Sequence, residues 1–504
     1  MKKIASVILL ITLIGQIGFS QTTELSDALE VKAKNFSPIL SNGEVKGYCV
    51  FYELDKIDEK QKLYRISFLD NALKIASSSD FMESNDLSYA STSFNGKSIL
   101  IQFFDAKKKN MVLRRFTVRG EEIAREEHEL GSQMETIMLQ YMANKSMNLP
   151  DILYSIKKKG YVYYTYEPND SKGLGMLKSK YAIKYFPEDE SEKAWIVTGE
   201  SEYKGLESAS FLFEANGLLV NNVVRKKKMI SNKGMENFIH VIDVKTGKKL
   251  FEIKTESKKY KSLIYKGLIN AETGNIEVFG TYYNIKDEMM KSYSLGFANL
   301  IYNKKGELIS EKYNSWKEDV VKLLPVGKKD KVGEGYYTFV HQILRDNNDN
   351  IFIIGEQYKP TFTGFDAKIA VQDLMILKLN KEFELESASI FEKNKTMIDL
   401  GNIAATSSPV IMGYMIYAFN GFDFSFSQVN NKTGEISVIY SDEGKNVQTI
   451  GTITHRDGKF DVRKKSIDSK SKKIAVFKAK SGSVLLFERS TSGQGASLRV
   501  EKLD

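Results

Sequence analysis

Two stretches of the sequence indicate the fold most clearly, "GNIEVFGTYY" at residues 274–283 and "DNIFIIGEQY" at residues 349–358. Each begins with turn-forming residues and continues as a β-rich apolar run, and Gly280 of the first aligns with Gly355 of the second. Turn residues followed by such a run are typical of a strand–turn–strand corner. The recurrence of the same corner predicts a repeated β unit.

Similar corners recur along the chain as two interleaved series of turn dipeptides. The first series lies at Asn42-Gly43, Asn95-Gly96, Lys159-Gly160, Asn216-Gly217, Gly274-Asn275, Asp349-Asn350, Ser407-Ser408 and Asp457-Gly458. The second lies at Asp70-Asn71, Arg119-Gly120, Glu188-Asp189, Thr246-Gly247, Lys305-Gly306, Asn380-Lys381, Thr433-Gly434 and Ser481-Gly482. An interval that is long in one series is long in the other, which indicates that both turns belong to one repeating unit.

Each unit contains four predicted strands, and the middle strands are almost continuously apolar. Strands of that kind are covered on both faces, and a lone four-stranded sheet cannot cover both. Radial stacking of the sheets does so, and the sequence therefore predicts an all-β fold, a β-propeller of about eight four-stranded blades, with seven as the alternative count. The units fall at residues 31–80, 87–129, 150–200, 206–256, 262–313, 336–392, 397–441 and 447–490, and the tail "ASLRVEKLD" is expected to add a closing strand.

Two insertions between units carry helix signals. "SQMETIMLQYM" has a capping box at Ser132 and Glu135, and "SWKEDVVKLLP" has the same spacing at Ser315 and Glu318 and ends at Pro325. We predict two short helices there, which either pack against the sides of blades or serve as a lid or docking element.

The N-terminus predicts export. Lys2 and Lys3 precede a mostly apolar stretch from Ile4 to Ile14, and Ser20-Gln21 follows a short, less apolar segment. This is the order of a signal peptide in residues 1–20, and the alternative is a retained N-terminal anchor helix. Residues 21–504 then form a single propeller domain in the periplasm or outside the cell. No second apolar run is long enough to cross a bilayer, and the single cysteine, Cys49, excludes an intramolecular disulfide.

The chain is moderately basic, with a formal net charge of +9. Basic runs such as "RKKK" at residues 225–228 fall in polar loops, where they either attract anionic envelope polymers or form a solvated face. No nucleic-acid-binding motif is present, so no nucleic-acid partner is expected. We expect a monomer.

The cluster at residues 346–350, "DNNDN", raises the question of a calcium loop. Such a loop needs glycine at its sixth position and a bidentate carboxylate at its twelfth. Counted from Asp346, those positions hold Ile351 and Gln357. The cluster is therefore interpreted as a hairpin turn, in which Asp and Asn side chains bond their own backbone.

No motif for catalysis, for a metal or for an organic cofactor is present, so no cofactor is expected and catalytic residues stay unassigned. The four histidines lie outside any metal-binding spacing. His341 and His455 fall on predicted first strands, which line a propeller's channel, and they either face a ligand there or are buried structural side chains.

Two further stretches have a functional and a structural interpretation. "FPEDESEK" at residues 186–193 either holds an acid–base pair for glycoside cleavage or forms a solvated hairpin tip. In "FNGFDFSFSQ", Phe422, Phe424 and Phe426 form either a sugar-stacking platform or the packing face of a blade.

The "GFSQ" end of the signal segment, the Lys- and Tyr-rich strands and the "x-G-N-I-ψ-x-x-G" corners (ψ apolar) resemble those of uncharacterised secreted β-propeller-like proteins of Bacteroidota. The resemblance covers nearly the whole mature chain and implies a domain of unknown function. That group has no assigned activity, so the resemblance implies no functional residue.

These observations favour an exported, non-catalytic envelope binding or scaffold protein whose partner is an unknown envelope protein or glycan. The alternative is a carbohydrate-active hydrolase or lyase with its site at the central channel, and a third possibility is a small-ligand or glycan sensor. Convergent carboxylates and histidines would favour the enzyme, a broad apolar or basic patch the scaffold, and an aromatic-lined pocket the glycan binder.

Overall fold

The computed structural model shows an eight-bladed β-propeller of four-stranded antiparallel sheets. It describes residues 22–29, 31–41, 43–143, 151–167, 179–227, 234–270, 272–324, 332, 336–363, 366–399, 407–442, 448–467, 474–489 and 495–503. Most of the described residues lie in strands, and the described residues contain two α-helices. The predicted fold class and the count of eight blades are confirmed.

The strands of the first four blades follow one another along the chain, after a short N-terminal strand. They are β1 (Thr22–Glu24), β2 (Phe36–Ser41), β3 (Glu44–Lys56), β4 (Gln61–Leu69), β5 (Ile75–Ser84), β6 (Leu87–Phe94), β7 (Ser98–Asp105), β8 (Asn110–Thr117), β9 (Glu122–Glu129), β10 (Leu153–Ile156), β11 (Gly160–Tyr166), β12 (Tyr181–Pro187), β13 (Trp195–Thr198), β14 (Leu206–Ala215), β15 (Leu218–Lys226), β16 (Glu236–Asp243) and β17 (Lys249–Lys254). Blades 1 to 4 are β2–β5, β6–β9, β10–β13 and β14–β17.

The remaining strands form blades 5 to 8. They are β18 (Tyr260–Ile269), β19 (Ile276–Asn284), β20 (Gly296–Tyr302), β21 (Leu308–Ser315), β22 (Tyr337–Arg345), β23 (Ile351–Thr363), β24 (Asp366–Leu379), β25 (Leu385–Phe391), β26 (Thr396–Asp399), β27 (Phe424–Val429), β28 (Ile436–Ser441), β29 (Gln448–Arg456), β30 (Lys459–Ile467), β31 (Ile474–Lys478), β32 (Ser483–Arg489) and β33 (Ala496–Lys502). Blades 5, 6 and 7 are β18–β21, β22–β25 with β26 added to β24, and β27–β30.

The chain divides into two compact units, and the first comprises Met1–Glu83 with Ser469–Asp504. Its two sheets are blade 1 and blade 8, and blade 8 has the strand order β1-β33-β32-β31. Thr23 of β1 pairs with Leu498 of β33, so a strand from the N-terminus completes a sheet from the C-terminus. The predicted strand in the C-terminal tail is confirmed as β33. Buried Leu25, Val50 and Leu498 belong to one apolar core of this unit.

The second unit, Ser84–Asp468, contains blades 2 to 7. Its first strands contact one another in sequence: β6 touches β10, β14 touches β18, β18 touches β22 and β22 touches β27. The first strands therefore form the inner layer of this unit, as in other propellers. The apolar middle strands lie in the cores between neighbouring blades, as with Ile239 and Val278 from blades 4 and 5.

The predicted bounds of the first six units agree with blades 1 to 6, whereas the last two predicted units, 397–441 and 447–490, are wrong by half a blade. The turn at Thr433-Gly434 joins the first two strands of blade 7, and Asp457-Gly458 joins its last two. Turn dipeptides do not indicate which strand pair they connect. A helix begins where the sequence predicts a turn, at Ser407-Ser408. Every later turn is therefore assigned to the wrong pair of strands.

The two α-helices are α1 (Ser132–Ala143) and α2 (Pro409–Ala418). The first confirms its prediction, but the second replaces the helix predicted at Ser315. There the capping signal is real, because the Glu318 N–H donates to Ser315 Oγ at 3.4 Å. Ser315 caps only the turn at residues 316–319, and the one-turn 3₁₀ helix that follows at Val320–Lys322 has Asp319 as its N-cap. A second such helix spans Ala33–Asn35. The missed helix α2 has Ser408 as its N-cap and Pro409 in its first turn.

The recurring corner contains a glycine because the preceding strand has a β-bulge opposite that position. The first strand bulges between Ile264 and Lys266 opposite Gly280 in blade 5, and between Val340 and Gln342 opposite Gly355 in blade 6. Each bulge brings the first strand close to the glycine, so the aligned glycines are a requirement of packing. A bulged residue is also turned away from the regular alternation, which affects Tyr265 and His341.

We expect Gly280→Ala to lower the free energy of unfolding by about 2–3 kcal/mol through overpacking. A Cβ at Gly280 would lie 2.0 Å from the Leu263 carbonyl oxygen, which is backbone and cannot rotate away. At Gly355 the nearest atom is the Thr338 methyl at 2.6 Å, so Gly355→Ala is the matched variant and should cost about 1 kcal/mol. Urea unfolding of both variants tests this, and equal losses would contradict the expected difference between a fixed carbonyl oxygen and a side-chain methyl group.

Candidate functional site

The structure separates the two histidines that the sequence singled out. His341 lies on β22, a first strand as predicted, but its side chain is only 2% exposed. His455 lies on β29, the third strand of blade 7, so its predicted place on a first strand is wrong because of the half-blade shift. Its ring packs on Phe352 and Phe460 with centroids 4.8 and 4.9 Å away, and burial lowers the pKa of His455. Both are buried structural side chains.

The bulge in β22 turns His341 into an aromatic enclosure. Its ring is stacked on Phe424 at 4.5 Å and meets the edge of Phe422 at 4.8 Å. Its Nε2 lies 3.1 Å from Glu356 Oε2. The rings of Phe422 and Phe424 therefore pack on His341. The prediction of one strand face shared with Phe426 is wrong, because Phe422 precedes β27 and a bulge separates Phe424 from Phe426.

His341 belongs to a buried charge cluster, the Glu356 cluster, which consists of His341, Glu356, Lys393, Thr396 and Asp423. Lys393 Nζ lies 3.2 Å from Glu356 Oε1 and 2.5 Å from Asp423 Oδ2. Thr396 Oγ1 donates to Asp423 Oδ2 at 2.9 Å. The side chains of Glu356 and Lys393 are both 0% exposed.

The charges in the cluster stabilise one another. Burial alone would raise the pKa of Glu356, but the hydrogen bond from His341 and the Lys393 charge lower it. Burial would lower the pKa of Lys393, and the Glu356 and Asp423 carboxylates raise it instead. Burial raises the pKa of Asp423 to about 6, against the opposing charge of Lys393. The cluster is a paired charge network and not an exposed set of acids and bases.

The cluster also fixes the chain segment that follows α2. The backbone N–H groups of Asp423 and Phe424 donate to the Glu356 carboxylate at 3.1 and 3.0 Å. The exit of α2 is thereby attached to blade 6.

Helix α2 also borders an aromatic pocket, here called the tyrosine site. Its cavity has a volume of about 80 Å³ and is lined by Trp316, by other aromatic and small side chains, and by six tyrosines from four strands, a loop and α2: Tyr265, Tyr283, Tyr293, Tyr337, Tyr358 and Tyr414. The bulge of β18 aims Tyr265 into the pocket, just as the bulge of β22 aims His341 into the charge cluster.

Ring contacts and hydroxyl bonds order the tyrosine site. Tyr293 stacks on Tyr337 at 5.4 Å with their hydroxyls 2.9 Å apart. The Tyr265 hydroxyl lies 3.2 Å from Thr281 Oγ1 and also bonds the Tyr414 side chain. The walls are therefore rigid and present both ring faces and hydroxyl groups.

Helix α2 is tied to the same wall. The Tyr358 hydroxyl donates to the Pro409 carbonyl at 2.5 Å, and the Ser408 hydroxyl donates to the Met290 carbonyl. A Cβ at Gly413 would lie 2.9 Å from the Tyr358 hydroxyl, so a larger residue there would push the helix away.

Two rings of α2 stay open to solvent at the rim of the site. Tyr414 is 39% and Tyr417 is 45% exposed. Phe339 supports both, with centroids 5.6 Å from each. Surrounding protein raises the pKa of Tyr414 and of Tyr417, and the Asp151 charge adds to the latter. A ring that is open to solvent on one side and surrounded by protein on the others lies on a concave surface.

No sequence motif indicates this site directly. Its tyrosines come from β18, β19, β22, β23, α2 and the loop before β20, and the sequence does not predict the helix itself. The available signal was the abundance of tyrosine, 26 residues in the chain. Which of them share a pocket depends on the bulges and on α2, and no local pattern specifies either.

Two other candidates resolve as structural. The Asp346 carboxylate accepts from the backbone N–H groups of Asn348 and Asn350 at 2.8 and 2.9 Å, and Asp349 has φ +63°. The hairpin-turn interpretation is therefore confirmed. "FPEDESEK" forms the β12–β13 turn, but it is not fully solvated, because Glu188 accepts from Ser98 Oγ at 2.6 Å.

The described residues contain no group of three or more His, Cys, Asp or Glu side chains able to hold a metal ion. Within the same part of the chain, every helix is too short or too polar to cross a membrane.

A family of unknown function, DUF6770, matches residues 1–504 of the sequence. None of the curated proteins matches it. Among solved structures, prolyl oligopeptidase B from Galerina marginata has 10% sequence identity and a TM-score of 0.44, over 95% of this chain and 57% of that one. This chain thus spans little more than half the length of that protein.

Two further solved structures are similar over smaller parts. The β-propeller domain of the Trilobed protease from Pyrococcus furiosus has 12% identity and a TM-score of 0.31, over 71% of this chain and 97% of that one. An endo-arabinase from Bacteroides thetaiotaomicron has 11% identity and a TM-score of 0.25, over 56% and 89%. Similarities this distant assign no activity to the chain.

Proposed function

This chain belongs to the family of unknown function DUF6770, and from that premise we propose that it is a non-catalytic binding protein. Its ligand is a glycan, and its binding surface is the tyrosine site with the exposed rings of Tyr414 and Tyr417. The observation that carries the proposal is the aromatic lining of this pocket.

The chemistry of the lining matches a polyhydroxylated ligand. Tyrosine offers a large rigid ring with few rotatable bonds and a hydroxyl at its end, so it gives contact area at low entropic cost. Ring faces pack against the C–H faces of a sugar, and the hydroxyls exchange hydrogen bonds with sugar hydroxyls. Two rings at the rim, 39% and 45% exposed, offer a longer chain a platform outside the small cavity.

The lining supports binding over cleavage. Glycoside hydrolysis requires two carboxyl groups on opposite sides of the scissile bond, and no Asp or Glu is among the residues that line the tyrosine cavity. The nearby acids Glu356 and Asp423 are paired with Lys393. The hydrolase or lyase alternative has no comparable support.

The proposal includes export of the chain to the periplasm or the outside, where glycans and envelope proteins are available as partners. Its basis is the N-terminal segment, which lies outside the described residues. Fractionation of cells, with mass spectrometry of the mature N-terminus, tests it. A new N-terminus near Gln21 in the exported fraction is the expected result, and an intact Met1 in the cytoplasm would contradict it.

The binding test uses residues 21–504 and a panel of neutral and acidic oligosaccharides. Trp316 lines the tyrosine site, so its fluorescence should change on binding. We expect Tyr414→Ala with Tyr417→Ala to weaken the binding of the responding glycan about tenfold or more, since stacked aromatic contacts are worth roughly 1 kcal/mol each. Tyr414→Phe should retain most of the stacking and lose only the hydroxyl.

Leu250→Ala is the matched control, because Leu250 is 46% exposed and lies on β17, away from the site. It should leave glycan affinity unchanged. If the double variant binds as tightly as the parent chain, or if no glycan of the panel binds, the proposal is wrong.

A further inference from the structure

A second concave surface lies between blades 2 and 3, here the blade 2–3 cleft. It has a volume of about 610 Å³, within the range of small-molecule pockets. Leu113 and Leu100 of blade 2 form one apolar wall, and Phe186, Trp195 and Ile196 of blade 3 form the other. Ile196 is 61% exposed, so a large apolar side chain stands open to solvent at this place.

Most charged side chains of the cleft are satisfied within the protein. Arg115 Nη1 donates to the Pro187 carbonyl at 3.0 Å and its guanidinium lies 3.7 Å from Glu190. The Glu126 carboxylate lies 3.1 Å from His128 Nε2. The Arg115 contacts join blade 2 to the β12–β13 turn of blade 3, and the Glu126–His128 pair lies within β9.

Lys184 is the exception. It lies on β12, on the same strand face as Phe186, and lines the cleft. Among the described residues its ammonium has no hydrogen-bond or ion-pair partner. It is half-buried, and loss of hydration lowers the pKa of Lys184 although the Glu126 charge opposes this. A half-buried ammonium without an acceptor is unfavourable, and an incoming acceptor would relieve it.

We propose that the blade 2–3 cleft binds an amphiphilic carboxylate, an aliphatic chain that ends in a carboxyl group. The carboxylate accepts hydrogen bonds from the Lys184 ammonium, and the aliphatic chain lies between Leu113 and Phe186 and covers Ile196. The site is separate from the tyrosine site and does not depend on the glycan proposal.

The chemistry of the cleft selects this class of ligand. A neutral chain would fill the apolar walls but leave Lys184 without an acceptor. A cationic chain would meet Glu190 and Glu192 in the lining, but it would also leave Lys184 without an acceptor. A carboxylate forms a charge-assisted hydrogen bond, which is the stronger kind, and the apolar chain removes Ile196 from water.

The test is isothermal titration of the native chain, residues 21–504, with decanoate below its micelle concentration. Decanol and decyltrimethylammonium serve as the neutral and cationic probes of equal chain length. We expect decanoate to bind at least tenfold more tightly than either. Lys184→Met should weaken decanoate about tenfold and leave decanol unchanged.

Lys204→Met is the control, since Lys204 is exposed and does not line the cleft. Trp195 fluorescence in a Trp316→Phe background gives a second readout at the cleft itself, because these are the two tryptophans of the chain. Circular dichroism of each variant verifies folding. Equal affinity for decanoate and decanol, an unchanged affinity in Lys184→Met, or no binding of decanoate would overturn the proposal.

Discussion

Lys393→Met is expected to lower the free energy of unfolding by about 3–5 kcal/mol, the cost of removing one partner from a buried ion pair. The Lys393 ammonium lies between Glu356 and Asp423, at 3.2 and 2.5 Å, in a region where Glu356 is 0% exposed. Without it, two carboxyl groups face each other with no cation between them. Equilibrium unfolding in urea measures the loss.

A double variant distinguishes the loss of the ion pair from a general packing defect at residue 393. Lys393→Met with Glu356→Gln removes the cation and one of the uncompensated charges, so it should be more stable than Lys393→Met alone by roughly 1 kcal/mol or more. Lys381→Met is the matched surface control, because Lys381 is 68% exposed and 3.8 Å from Glu382; its effect should stay within about 0.5 kcal/mol. A loss below about 1 kcal/mol in Lys393→Met would show that the cluster does not stabilise the fold.

Acid is expected to remove a second large contribution, from Glu252 in blade 4. Arg225 binds the Glu252 carboxylate with two hydrogen bonds of 2.9 Å, and His240 Nε2 lies 2.5 Å from it. Lys249 lies 3.7 Å away, and Glu207 and Glu200 share the Arg225 guanidinium. Burial alone would raise the pKa of Glu252, but the bonds from His240 and Arg225 lower it from 4.5 to about 2.

A carboxyl group whose pKa is lowered by folding stabilises the protein above its unfolded pKa. That contribution is complete above about pH 5 and is lost as the pH falls toward 2. At about 1.4 kcal/mol per pKa unit the contribution has an upper value near 3.4 kcal/mol, and screening at a side chain that is 26% exposed reduces it to about 2 kcal/mol.

The difference in stability between the parent chain and Glu252→Gln isolates this effect from other carboxylates. It should be about 2 kcal/mol at pH 6 and fall to roughly 0.5 kcal/mol near pH 2.5, which is still above the folded pKa of about 2. Glu44→Gln, at a side chain that is 56% exposed, should show no comparable dependence. A difference that stays constant between pH 6 and pH 2.5 would mean that Glu252 is not held by this network.

The repeat, and with it the fold class, could be predicted from the sequence alone. Alternating turn residues and apolar runs are local features that any four-stranded unit must show, and apolar middle strands require neighbouring sheets on both faces. The corner glycines Gly280 and Gly355 could also be found in the sequence, because the corner is a local pattern. The turn at Asp346 was also readable, because its hydrogen bonds join residues within five positions.

The tertiary structure was needed to assign the strands of the last two blades, to locate α2 and to identify the sites. Turn dipeptides are alike whether they join the first or the last two strands, so Thr433-Gly434 could not be assigned before its partners were known. His341 was placed on the correct strand, but its burial depends on a bulge in that strand and on Phe422 and Phe424 from the next blade. The tyrosine site and the Lys184 cleft join residues from separate blades, and such contacts arise from packing, which no local sequence pattern records.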